Sequence, residues 1–133
     1  MLKLEIVTPE RRVLDAEVDS VTVPTASGEA GILPQHAPLI SALKPGILTY
    51  SAKGSNDKLA VSSGFVEVNG DNVSVLVDTA ETAAEIDVEA AKTDRETAEK
   101  AIAAAGLVSS DESDISREAL DHASARIQLA AGR

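Results

Sequence analysis

"FVEVNGDNVSVLV", residues 65–77, is the stretch whose reading decides the fold. Valine recurs at alternate positions on both sides of Asn69-Gly70-Asp71-Asn72. A period of two sends successive side chains to opposite faces of a strand, and Asn and Gly accept the positive φ of hairpin turns. The spacing predicts two strands, Phe65–Val68 and Val73–Val77, closed into a hairpin.

The same period extends back to the N-terminus. "LKLEIV" alternates Leu2, Leu4 and Ile6 against Lys3 and Glu5, and "VDSVTV" repeats the pattern with Val21 and Val23. Further strands fit at 31–34, 39–43, 46–52 and 58–62, each bounded by Gly, Pro, Ser or Asn. Many short strands with frequent turn signals predict an antiparallel β-sandwich or flattened barrel over residues 1–85.

From Ile86 the period changes. "IDVEAAKTDRETAEKAIAAAG" offers Asp87 as an N-cap, Glu89 in the first turn and Gly106 as a stop. A helix over 88–105 would span about 27 Å. Its stripe is Val88, Ala91, Ala98, Ile102 and Ala105, interrupted at Arg95. "LVSSDESD" reads as a polar connector, and a second helix from about Ile115 carries Leu120, Ala123, Ile127 and Ala130. Residues 86–133 thus form a two-helix antiparallel hairpin. A methyl group buries far less area than a leucyl group at ~25 cal/mol per Å², so alanine faces hold weakly on the sandwich. Such a hairpin can be a mobile element or an ordinary permanently packed one.

The 133 residues suit one domain, or a small domain with an appendage. A net charge of −10 argues against nucleic-acid partners and against docking or insertion into anionic lipid. Aromatics make up 2% of the chain, so Val, Ile, Leu and Ala must fill the core. The absence of cysteine excludes disulfides, thiolate metal sites and Cys nucleophiles. "MLKLEIVTPERR" turns charged too early for a secretory signal, and no apolar run approaches the ~20 residues of a spanning helix. A soluble, cytoplasmic protein is expected.

Chemistry is hard to find. His36 and His122 lie in different halves and share no metal-ligand spacing. No G-x-S-x-G elbow, G-x-x-x-x-G-K-[ST] loop or G-x-G-x-x-G occurs. Gly28, Gly31 and Gly46 read as turn residues with positive φ, Glu29 as a solvated acid, and His36 as a loop histidine between Pro34 and Pro38. Glu96 and Lys100 form a candidate i,i+4 pair, and Arg126 and Arg133 suit a helix C-terminus. No cofactor is expected.

Three runs carry a resemblance to a known family: "VTPERRVLDAEVDSVTVPTASGEAGILPQHAPLISALKPGIL" (7–48), "SSGFVEVNGDNVSVLVDTAE" (62–81) and "EIDVEAAK" (85–92). In order and spacing they resemble the epsilon subunit of bacterial and chloroplast F-type ATP synthases, called delta in mitochondria. The Gly-x-x-Gly-Ile-Leu-Pro-x-His-Ala-Pro-Leu run followed by Lys-Pro-Gly-Ile-Leu is specific, while the chain's end matches only in character.

The resemblance implies a non-catalytic rotor subunit on the cytoplasmic face of the bacterial plasma membrane. Its sandwich would bind the gamma subunit and the c-subunit ring, and its hairpin would fold back or extend into the alpha/beta headpiece to restrain ATP hydrolysis. Glu29 through Pro38 would form a loop facing the ring, with Glu29, Gly31, Ile32, Leu33, Pro34 and His36 as contacts. Some members bind ATP through [Ile/Leu]-Asp-x-x-Arg-Ala. Here Ile86 and Asp87 are kept but Ala90 replaces the arginine, with Lys92 and Arg95 as the nearby bases, which implies a weak or absent ATP site. Beyond residue 106 three arginines (117, 126, 133) face five acids (111, 112, 114, 118, 121), so inhibition would be weaker or differently anchored. A generic interaction adaptor would explain the fold but not the loop sequence, and an enzyme using His36 as a base would need a partner carboxylate and a pocket that nothing in the spacing supplies.

Overall fold

The computed structural model describes residues 1–35, 37–105 and 110–131, without the side chains of 105 and 110–114. Ten strands form among them: β1 (Leu2–Val7), β2 (Arg12–Val18), β3 (Ser20–Thr25), β4 (Gly28–Ile32), β5 (Leu39–Leu43), β6 (Gly46–Ala52), β7 (Ser55–Val61), β8 (Gly64–Asn69), β9 (Asn72–Val77) and β10 (Ala80–Glu81). A 3₁₀ turn, Ala83–Glu85, leads to α1 (Val88–Ala105) and α2 (Ser110–Ala131). The β-then-α architecture expected from the change of period is present.

The strands run in the order β10-β7-β6-β3-β5-β8-β9-β1-β2, with β4 paired to β3 off this path. β2, at one end of the order, comes against β6, which curls the sheet into a flattened barrel. The inward faces supply an aliphatic core that includes Leu2, Leu4, Ile6, Val66, Val68 and Val73. Its buried members are all Leu, Ile, Val or Ala, as the aromatic-poor composition requires.

The 65–77 hairpin forms with register Val66↔Val75 and Val68↔Val73. Both strands run one residue further than expected, to Asn69 and from Asn72, leaving Gly70 and Asp71 as the loop. Gly70 has φ 62°, the sign that a type II′ turn needs at its first central residue. A similar two-residue loop, Lys53 (φ 52°) and Gly54 (φ 82°), joins β6 to β7, so β7 starts at Ser55 rather than 58.

Three expectations need correction, and one strand was not foreseen. β1 and β9 pair in parallel, whereas the other pairings are antiparallel. "RVLDAEV" is a strand, β2, whose alternation is blurred because much of it is only half-buried. The run read as one strand across 18–23 breaks at Asp19, whose N–H donates to Ser51 O (2.6 Å) and whose carboxylate accepts Lys53 N–H (3.1 Å). And "SSDESD" is not all connector, since α2 begins at Ser110. Residues 111, 112 and 114 thus belong to its opening turns. Gly106 lies outside the described residues.

At the start of β8 the backbone of β9 comes very close. A Cβ on Gly64 would lie 2.0 Å from Leu76 O and 2.9 Å from Val77 Cα. Backbone cannot yield as a flexible side chain can, so Gly64→Ala should destabilise the fold by about 1–3 kcal/mol or more. Denaturant unfolding followed by circular dichroism checks this, and an unchanged midpoint would refute the close approach.

Candidate functional site

Glu29 through Pro38 do not form one loop. Residues 28–32 are strand β4, paired with β3 through Thr25↔Gly28, Pro24↔Glu29 and Val21↔Ile32. Side chains alternate along it: Glu29 and Gly31 face solvent, Ala30 packs against the core and Ile32 is fully buried. Ile32 is therefore a core residue and offers no side chain to a partner. Leu33 and Pro34 follow β4 and are exposed. Glu29 and Gly31 thus sit on a strand, and Leu33 and Pro34 beyond its end, instead of sharing one loop. Gly28 has φ 124°, but Gly31 and Gly46 have no positive φ; a Cβ on Gly46 would press on Pro24 at 2.9 Å. His36 lies outside the described residues.

Gln35 adopts φ 66°, and its N–H donates to Asp71 Oδ1 at 3.1 Å. The segment after β4 is thereby tied to the β8–β9 turn. That turn is itself fastened to β1, because Lys3 N–H donates to Asp71 O at 2.7 Å.

A second surface was missed in the sequence. Ile40 (74% exposed), Phe65 (58%) and Leu76 (50%) stand on the outer face of β5, β8 and β9. Ala42, Phe65, Leu76 and Val7 sit in one row across four adjacent strands. The signal was available, because in the alternating 65–77 run Phe65 and Leu76 occupy the positions out of phase with the core valines.

The third feature is the seam between hairpin and sandwich. Its apolar part is small: Ala60, Ile86, Leu129 and Ala130, with Ile47, Ala83 and Val88 at the margin. Beside it Arg126, only 12% exposed, extends from α2. Its Nε lies 2.8 Å from Glu81 Oε1 as an ion pair without hydrogen-bond alignment, while Nη2 donates to Glu81 Oε2 and Nη1 to Asp94 Oδ2, each at 3.4 Å. Arg126 is thus not a C-terminal dipole residue but a bridge from α2 to both β10 and α1; Arg133 lies outside the described residues. His122 Nε2 lies 3.2 Å from Thr79 Oγ1. On the outside of α1 the ion pairs are Glu89–Lys92 (3.9 Å) and Arg95–Glu99 (3.8 Å), not Glu96 with Lys100.

Among the described residues no group of three or more His, Cys, Asp or Glu could hold a metal ion, and no helix is long and apolar enough to cross a membrane. A family model described as "ATP synthase, Delta/Epsilon chain, beta-sandwich domain" matches residues 1–83. The ATP synthase epsilon chain of Geotalea uraniireducens (strain Rf4) is 47% identical over 131 residues, covering 98% of this chain and 94% of that one. The chain belongs to the ATP synthase epsilon family. The ATP synthase epsilon chain of Carboxydothermus hydrogenoformans is 51% identical over 102 residues, covering 77% of this chain and 76% of that one. A chain in the cryo-EM structure of the Euglena gracilis mitochondrial ATP synthase OSCP/F1/c-ring superposes with a TM-score of 0.78 at 26% identity, over 99% of this chain and 81% of that chain.

In this epsilon-family chain both residues expected at a weak ATP site, Ile86 and Asp87, are already engaged within the fold. Ile86 is buried in the seam cluster, and Asp87 caps α1 by accepting Ala90 N–H at 3.1 Å through Oδ1. Ala90 itself is exposed.

Burial, and then the neighbouring Arg126 charge, push the His122 imidazole below its ordinary 6.5. The unfolded chain therefore binds a proton there more readily, so stability is full above about pH 6.5 and is lost as pH falls toward the lowered folded value. Thermal melts between pH 7.5 and 5 should show this loss, and His122→Gln should flatten that part of the profile. An identical slope in the variant would assign the loss to other groups.

Proposed function

We propose that this chain is a non-catalytic central-stalk subunit of a proton-translocating F-type ATP synthase, peripheral on the cytoplasmic face of a bacterial membrane. The observation that carries the reading is the likeness to epsilon chains over 98% of this chain, sandwich and hairpin together. Torque transmission calls for a stiff body with defined contact faces, and the flattened, aliphatic-cored barrel supports that reading.

In this reading the gamma subunit covers the outer face that bears Ile40, Phe65 and Leu76. An apolar row on a chain of net charge −10 is otherwise costly to leave in water. The c ring meets the β4 edge through Glu29, Gly31, Leu33 and Pro34, with His36 in the following segment; Ile32 supports that edge from inside. Because β4 pairs only with β3 among the described strands, its other edge is free to dock. The hairpin lies against the sandwich here; its extension toward the alpha/beta headpiece would restrain hydrolysis. ATP binding at Ile86 and Asp87 is weak or absent, since Ala90 brings no charge to a phosphate.

Co-purification tests the assembly: the chain should carry gamma and the c ring with it, and turnover by the lone chain would point to an enzyme instead. Phe65→Glu with Leu76→Glu should lower gamma affinity at least about tenfold while leaving the fold intact. Removing residues 87–133 should raise hydrolysis by the assembled enzyme; equal rates would remove the regulatory part. Titration calorimetry of the isolated chain should find no micromolar ATP affinity.

A further inference from the structure

We propose that Arg126 is a charge lock that fastens the hairpin to the sandwich and sets how readily the hairpin leaves it. The inference rests on the reading of the hairpin as a mobile regulatory element, and it concerns this chain's own residues.

The apolar seam cannot hold the hairpin strongly. α2 contributes Leu129 and Ala130 to it, and the sheet contributes Ala60 with part of Ile47. Charge works against packing as well, because the chain is net acidic overall and in its tail. Against that background Arg126 reaches two carboxylates on two different elements, Glu81 on β10 and Asp94 on α1. One side chain therefore ties the sandwich, the first helix and the second helix together.

Burial makes this contact unlike the other ion pairs. Arg126 is 12% and Glu81 24% exposed, whereas Arg11–Glu85, Arg12–Asp15 and Arg95–Glu99 all join side chains more than a third exposed. Exposed pairs contribute little, but removing one partner of a largely buried pair strands the other charge away from water. When the hairpin lifts, Arg126 and Glu81 separate and both regain hydration. The lock therefore opens to water without leaving a buried charge behind.

The test is amide hydrogen exchange on the full isolated chain, comparing wild type with Arg126→Gln, Glu81→Gln, Asp94→Asn and the Arg126→Gln/Glu81→Gln pair. Protection across residues 115–131 should fall at least tenfold in Arg126→Gln and in Glu81→Gln, and less in Asp94→Asn, because Asp94 is itself the more exposed of the two carboxylates. The double variant should lose no more than the worse single one, and strands β1, β8 and β9 should keep wild-type protection. Unchanged α2 protection in the single variants, or fully additive losses in the double, would overturn the lock. Should Arg126→Gln prove unstable throughout, Glu81→Gln and Asp94→Asn still decide by the same criterion. Gamma capture by the same variants reads the rotor assignment separately: failure of every chain to bind gamma would sink that assignment, while the exchange pattern would still judge the lock.

Discussion

The sandwich depends on closing a core with no buried aromatic ring. Small aliphatic side chains from every strand must interleave, because no single residue is large enough to fill a gap alone. That requirement holds the strands in register, since a slip by one residue would turn the valine face of β8 and β9 to water. It also brings backbones close together, and Gly64 sits where the approach of Leu76 and Val77 leaves no room for a methyl group. The chain's one phenylalanine is not in this core at all. Phe65 points outward, half-exposed, next to Leu76 and Ala42.

A barrel held this way gives the outer surfaces fixed positions. β4 is pinned by its pairing to β3 and by the burial of Ile32, so its solvent-facing residues are displayed on a stiff strand. Asp71 adds a cross-link at one end, accepting from Gln35 through its carboxylate and from Lys3 through its carbonyl. Contact faces built on such elements lose little conformational entropy on docking.

Much of this was legible in the chain. The period-two runs, the NGDN turn and the switch to helical spacing at Ile86 each correspond to an element, because strand and helix periods are local properties of side-chain direction. β2 was not legible: Val13, Leu14 and Ala16 are only partly buried, so its pattern mixes apolar and charged residues. The parallel β1–β9 pairing was beyond reach, since it joins residues some seventy positions apart in sequence. The "SSDESD" run misled because Ser and Asp are both turn formers and good residues for a helix start. Arg126 shows a further limit. Arg95 interrupts the stripe of α1 and Arg126 lies beside that of α2, yet Arg95 pairs outward with Glu99 while Arg126 turns inward to Glu81. Which of two such arginines is buried depends on the element across the seam, and spacing along one helix carries no word of that element.

The composition of α2 makes physical sense under the proposed reading. A helix that lived only against the sandwich would be better held by leucine, whose burial contributes several times more than alanine's. The same leucine stripe, once lifted off, would present an apolar patch to water and invite aggregation. Alanine avoids that while keeping the highest intrinsic helix propensity, so the segment can stay helical whether or not it is packed. What alanine gives up is grip, and a charged pair can restore grip without adding apolar surface. Its contribution disappears when the ions separate, because each then recovers its own hydration shell. Alanine faces with one buried arginine are thus a consistent solution for a helix pair that must be stable in two environments.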